Sequence, residues 1–182
     1  MTGATTAMPK SVTRNRCYPL GAMTERRVWL AEIDETNWRE ACDLGVFPDQ
    51  IPYICSFEPP AAEAIAKCYV RPSGLVYRPY AINADEQMVG FLVLGHKPEP
   101  YEFLWVFHFF IDRGSQGQGL AREALIKLTD LALYHYPQAE RLQLTVHPEN
   151  ERAKEVYAAA GYTPTEERHR GEPIWVLPLE RS

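Results

Sequence analysis

The spacing of apolar positions changes repeatedly from residue 27 onward, and each change marks an element. Residues 27–33 are β-branched and aromatic and predict a strand. Asp34 or Thr36 can cap a helix over 37–44, which Gly45 would end. An alanine-rich helix is expected over 59–69, stopped ahead of Arg71-Pro72 because a residue before proline avoids helical backbone. Residues 76–82 and 88–94 predict a hairpin with its turn at 83–87. An aromatic strand over 102–111 follows the loop His96-Lys97-Pro98-Glu99-Pro100. Leu120, Ala121, Ala124, Leu125, Leu128, Leu131 and Ala132 then recur at helical spacing and predict an amphipathic helix. Residues 141–146 alternate as a half-buried strand. Ala153, Val156, Tyr157 and Ala160 give the next helix one apolar face, and Gly161 suits the left-handed position past its end. Residues 162–167 and 173–179 close the pattern as two strands. The order β-α-α-β-β-β-α-β-α-β-β is that of a mixed α/β fold, without internal repeats.

The aromatic strand meets the long helix through Ile111-Asp112-Arg113-Gly114-Ser115-Gln116-Gly117-Gln118-Gly119-Leu120-Ala121-Arg122. The first N–H groups of a helix lack intrahelical acceptors, and the dipole adds partial positive charge there. With glycines bringing the backbone close, this junction suits a phosphate or pyrophosphate. A P-loop would need lysine and a hydroxyl after the last glycine, and neither follows Gly119. A dinucleotide fingerprint would need a third glycine where Arg122 stands. What remains is Gln-x-x-Gly-x-Ala at Gln116, Gly119 and Ala121.

Composition narrows the setting. The 182 residues are 46% apolar and 24% charged, values of a globular protein, and 26–182 reads as a single domain. A net charge of -5 and the absence of basic runs predict no nucleic-acid partner. No apolar run approaches a membrane span, and no secretory signal is visible, so the cytoplasm is expected. Cys17, Cys42, Cys55 and Cys68 are scattered without metal-ligand spacing, and no metal site is expected. Cys42 and Cys68 read as small core hydrophobes. Residues 1–25 lack periodicity and read as a mobile extension, with Met23 a natural start for the domain.

The second helix carries Asn150-Glu151-Arg152-Ala153-Lys154-Glu155-Val156-Tyr157-Ala158-Ala159-Ala160-Gly161-Tyr162. This run resembles the signature Asn-x-x-Ala-x-x-x-Tyr-x-x-x-Gly-Phe of the GNAT (Gcn5-related N-acetyltransferase) superfamily, with Tyr162 in place of the closing phenylalanine. The loop at Gln116 is similar to that superfamily's acyl-CoA pyrophosphate loop, Gln/Arg-x-x-Gly-x-Gly/Ala. The resemblance covers roughly residues 27–180. It is closest to the bacterial spermine/spermidine acetyltransferase-like branch, through Trp38-Arg39, Arg78-Pro79-Tyr80-Ala81-Ile82, Ile111-Asp112 and Gly171-Glu172-Pro173.

The resemblance implies a GNAT fold with a mixed, mostly antiparallel sheet flanked by helices, and acetyl-CoA as cosubstrate. It implies that strands 102–111 and 141–146 start side by side and splay. Backbone groups of Phe109, Phe110 and Ile111 would then pair with the pantetheine and polarise the thioester carbonyl. Gln116, Gly117, Gln118, Gly119, Leu120, Ala121 and Arg122 would hold the pyrophosphate. Asn150 is a good helix N-cap on its own terms and contacts CoA in the family.

Tyr157 is the expected general acid, because a phenol with an ordinary pKa of about 10 is protonated at neutral pH. The branch typically carries arginine where this chain has His108; the imidazole is a candidate base or a hydrogen-bonded core residue. Glu35, Glu58 and Trp38 are the candidate acceptor-binding residues, within an acidic stretch that could attract a polycation. The implied reaction is direct acetyl transfer to a primary amine of a small molecule, with polyamines foremost. Amino acids, aminoglycosides, protein N-termini and a non-catalytic acyl-CoA binder are the alternatives. A homodimer is expected from the family's habit of pairing terminal strands.

Overall fold

The computed structural model describes residues 28–181. The expected N-terminal extension, Met23, Arg27 and Cys17 lie outside the described residues. One seven-stranded sheet runs in the order β1-β2-β3-β4-β5-β7-β6. Its strands are β1 Val28–Glu32, β2 Val76–Ala84, β3 Gln87–His96, β4 Phe103–Ile111, β5 Arg141–Thr145, β6 Thr163–His169 and β7 Glu172–Pro178. Neighbours are antiparallel except β4 and β5, which are parallel. The expected mixed, mostly antiparallel sheet is therefore present.

Among the described residues five α-helices cover the faces: α1 Trp38–Asp43, α2 Ile51–Ile54, α3 Pro60–Val70, α4 Leu120–His135 and α5 Glu151–Ala159. Helix α2 is additional to the expected order; four residues with proline in the first turn leave no period to detect. Helix α1 departs from its expected start. The Asp34 carboxylate accepts from the N–H and hydroxyl of Thr36, at 2.7 and 2.6 Å, and is spent in a local turn. Asn37 takes the N-cap position instead, without a side-chain cap bond, while its amide donates to the Glu32 carbonyl at 3.0 Å.

On one sheet face, Leu120, Ala124, Leu125, Leu128 and Ala132 of α4 pack on Leu104, Val106, Leu142 and Leu144. Tyr157 of α5 belongs to the same cluster. On the other face, Ala41, Ala61 and Ala64 of α1 and α3 pack on Phe91, Val93 and Phe110. Cys42 is half-buried against this second cluster, and the half-buried Cys68 donates to the Ala64 carbonyl. No helix among the described residues is long and apolar enough to cross a membrane.

Helix α5 ends as the sequence predicts. Gly161 has φ 94°, the Tyr162 N–H donates to the Tyr157 carbonyl and the Gly161 N–H to the Ala158 carbonyl. Those two bonds make a Schellman motif, which fixes the end of the helix one turn beyond Tyr157.

Candidate functional site

Two features of β4 create the site. It pairs with β5 over only Phe103, Leu104 and Trp105, while β5 stays paired with β7 as far as Thr145. Beyond Trp105 the two strands therefore separate, and backbone polar groups of β4 lose a neighbour on that side. The second feature is a bulge: His108 and Phe109 together face the single residue Leu92 in the β3–β4 ladder. His108 takes up the distortion with φ 48°, a left-handed conformation that a non-glycine residue holds only when its surroundings enforce it.

The gap is a cleft of about 650 Å³ lined along one wall by residues 106–111. Thr145, Val146, His147, Asn150 and Tyr157 line the other wall. At the mouth beside α4 and α5 stand Gly117, Gly119, Leu120, Ala121, Arg122 and Arg152. At the mouth beside α2 and α3 stand Gln50, Tyr53, Ile54 and Lys67.

The glycine loop is shaped as expected. Gly117 and Gly119 have φ 76° and 80°, conformations that favour glycine. The N–H groups of Gly119, Leu120 and Ala121 have no acceptor among the described residues. Three bare donors at the N-terminus of a 16-residue helix form an anion site. Arg122 reaches across to α5, its Nε donating to the Ala159 carbonyl at 3.0 Å.

Two of the expected contact residues also bond within the protein. The Gln116 side chain faces Gln50 in a reciprocal amide pair, at 2.9 and 3.1 Å, and also donates to the Ile111 carbonyl at 3.0 Å. Gln116 thus shapes the loop, and one lone pair of the Ile111 carbonyl is engaged by it. Gln118 turns away, lining a separate depression beside Asp85 and Glu86. The loop is further stitched to the segment after α1. The Asp112 carboxylate accepts from the Gly45 N–H at 2.9 Å, and the Arg113 N–H donates to the Gly45 carbonyl at 2.8 Å.

Asn150 caps α5, its Oδ1 accepting from the Ala153 N–H at 3.1 Å, and also lines the cleft. Tyr157 faces the cleft with its ring against Phe109, centroids 6.1 Å apart. Its hydroxyl makes no hydrogen bond to another described residue, and burial pushes its pKa above the ordinary phenol value. It is a protonated, unengaged donor.

His108 is differently placed from a free base. Its Nδ1 lies 2.9 Å from the Ile54 carbonyl and its Nε2 lies 3.0 Å from Lys67 Nζ. Burial, with the Lys67 charge second, holds its pKa down to about 4. The Lys67 ammonium also meets the buried Glu63 carboxylate at 2.6 Å, and Glu63 accepts from the Ser56 N–H at 2.6 Å. Desolvation raises the Glu63 pKa, but its bonds to Lys67 and Ser56 outweigh that and hold it below the ordinary value.

Glu35, Trp38 and Glu58 do not line the cleft; all three are exposed. Trp38 is 39% exposed, and the Arg39 guanidinium lies 4.5 Å from its ring centroid. A position near the end of a segment did not translate into a position at the cleft. Tyr53, Lys67, His147 and Glu172 occupy the walls instead. Of these only Lys67 had a readable signal, its i,i+4 spacing from Glu63.

A parallel pair that opens into a slot, bare helix N–H groups at one mouth and a protonated hydroxyl inside define a group-transfer enzyme with a phosphate-bearing donor. Residues 38–162 match the model of the Acetyltransferase (GNAT) family, and the chain belongs to this family of acetyl-CoA-dependent acetyltransferases. A probable spermine N(1)-acetyltransferase of Bacillus subtilis subsp. natto (strain BEST195) is 29% identical over 135 residues, covering 71% of this chain and 84% of the relative. Among solved structures, spermidine N-acetyltransferase from Vibrio cholerae in complex with CoA and spermine superposes with a TM-score of 0.63. It is 16% identical, over 84% of this chain and 95% of that one. An aminoglycoside acetyltransferase in complex with CoA and kanamycin gives a TM-score of 0.65 at 15% identity, with the same coverage of 84% and 95%.

Proposed function

We propose that this chain moves the acetyl group of acetyl-CoA directly to a primary amine of a small polyamine-like molecule, both substrates being bound at once. One observation carries the reading: the unengaged Tyr157 hydroxyl lies in a cleft that opens towards α4 and α5 at one end and towards α2 and α3 at the other. Acyl donor and amine can enter from opposite faces and meet there. The polyamine class is supported by the relatives named for spermine and spermidine.

The donor supplies an activated thioester. Gly119, Leu120, Ala121 and Arg122 bind its pyrophosphate, and the β4 backbone at Phe109 and Phe110 orients the chain that follows. The neutral amine attacks the carbonyl carbon, the C–S bond breaks, and Tyr157 offers its O–H to the departing sulfur. A thiol has a pKa of about 8.5, well below that of this phenol, so the Tyr157 contribution is a hydrogen bond that strengthens as charge reaches sulfur. His108 is a positioning group: its lone pair is occupied by Lys67, and the amine loses its proton to water.

Free-thiol release from acetyl-CoA, followed with spermine, spermidine, single amino acids and aminoglycosides, tests the reading. Turnover on polyamines supports it. Turnover on another amine moves the acceptor. Donor binding without thiol release from any amine overturns it in favour of an acyl-CoA-binding module.

A further inference from the structure

Resting on that reading of an amine acceptor, we propose that Glu172 selects acceptors with more than one amine, by holding an ammonium other than the reacting nitrogen. Register places the residue. Gln143 pairs with Val176 and Thr145 with Ile174, so Glu172, two residues earlier, shares their face. Trp175 and Leu177, at the opposite parity, pack into the core under α4 and α5. Glu172 therefore belongs to the face that carries α1–α3, and it lines the cleft while half-buried.

Two constraints keep it there. Arg170 and Gly171 form a tight turn with φ 51° and 89°, which returns the chain so that Glu172 pairs with His169. The Val146 N–H donates to the Pro173 carbonyl at 3.3 Å, fastening the end of β5 beside Glu172.

Among the described residues two carboxylates line the cleft: Glu155 stands on α5 in the same helix as Arg152, and Glu172 stands on the face that carries α1–α3. The Lys67 ammonium is matched by Glu63 at 2.6 Å, so that pair is close to neutral. His108 is uncharged at neutral pH, its pKa being about 4. Glu172 forms no ion pair with a described residue. Arg168, His169 and Arg170 share its hairpin, the Arg168 guanidinium donating to the Gly171 carbonyl at 2.9 Å, and none is within ion-pair distance of the carboxylate. A half-buried carboxylate so placed gains from a cationic ligand through a charge-assisted hydrogen bond. It also stabilises the charged form of whatever amine it holds. The reacting nitrogen must be neutral, so the productive occupant is a second ammonium of the same molecule.

The probes are 1,4-diaminobutane and butylamine, equal in length and differing by one charge. Their binding to the full chain is measured by calorimetry with CoA present, and thiol release is measured in parallel, for wild type, Glu172→Gln and Glu172→Asp. The expected result is diamine binding weakened about tenfold or more in Glu172→Gln and partly restored in Glu172→Asp, with acetyl-CoA affinity and the kcat/KM for butylamine in thiol release unchanged. Equal diamine affinity in wild type and Glu172→Gln, or no preference of the wild type for the diamine, would overturn the assignment. Binding as expected with no thiol release would leave Glu172 as the diamine site and remove the acetyltransferase reading. Thiol release with affinity independent of Glu172 would do the reverse.

Discussion

Lys67 Nζ lies 3.0 Å from His108 Nε2, and this contact decides what the imidazole can do. Because Nδ1 faces the Ile54 carbonyl at 2.9 Å, one neutral tautomer satisfies both partners. Nδ1–H donates to the carbonyl and Nε2 accepts from the ammonium. A proton arriving at Nε2 would face that ammonium with no bond to offer it.

The consequence is a pH dependence of stability. The unfolded chain takes up this proton near pH 6.5 and the folded chain near pH 4, so between these values the unfolded state binds more protons. Stability is unaffected by His108 above about pH 6.5, falls as pH drops, and loses roughly 2 kcal/mol by pH 5. Urea midpoints at pH 7 and pH 5 should fall further for wild type than for His108→Gln. Equal falls would mean that the imidazole is charged in the fold.

Removing the Tyr157 hydroxyl should separate chemistry from binding. Tyr157→Phe is expected to lower kcat about a hundredfold, with the KM for acetyl-CoA unchanged. Stability should stay within about 0.5 kcal/mol, since the hydroxyl has no partner to lose. An unimpaired kcat would assign the leaving thiolate to water.

Tyr162 invites the opposite change. Its hydroxyl is buried, has no hydrogen-bond partner among the described residues, and lies on a ring whose centroid is 5.8 Å from that of Tyr157. Tyr162→Phe deletes an unsatisfied polar atom and should stabilise the fold by about 1 kcal/mol, read as a rise in thermal midpoint. A lower midpoint would show that the hydroxyl is solvated or bonded after all.

Asn150 caps α5 and lines the cleft, and serine can separate the cap from the proposed CoA contact. Asn150→Ala should cost about 1 kcal/mol through the lost cap, and Asn150→Ser should retain most of it. The KM for acetyl-CoA is expected to rise in both, because serine lacks the amide nitrogen. A normal KM in the serine variant would confine Asn150 to capping.

What the sequence made legible follows from how local each signal is. Helices α4 and α5, the Gly161 cap and the bare N–H groups after Gly119 are decided within a few residues, and they appear where the spacing puts them. The bulge at His108 is a relation between two strands and has no period of its own. Lys67, Tyr53 and Glu172 come together only through topology, from α3, α2 and β7. Glu35 and Glu58 looked promising by charge alone, yet charge is cheap on an exposed loop and says nothing about direction.

The bonds joining Gly45 to Asp112 and Arg113, and Gln50 to Gln116, bear on the kinetic order of the reaction. The loop proposed to receive the pyrophosphate is fastened to the segment leading into α2, which carries Tyr53 and Ile54. On the proposed reading, a ligand that stiffens the loop would stiffen the α2 side of the cleft as well, so the second substrate would meet a wall already set. On the proposed ternary-complex reading, the expected order is acetyl-CoA first and amine second. A dead-end amine analogue should then be uncompetitive against acetyl-CoA, and severing the tie with Gln50→Ala should shift the pattern towards random addition.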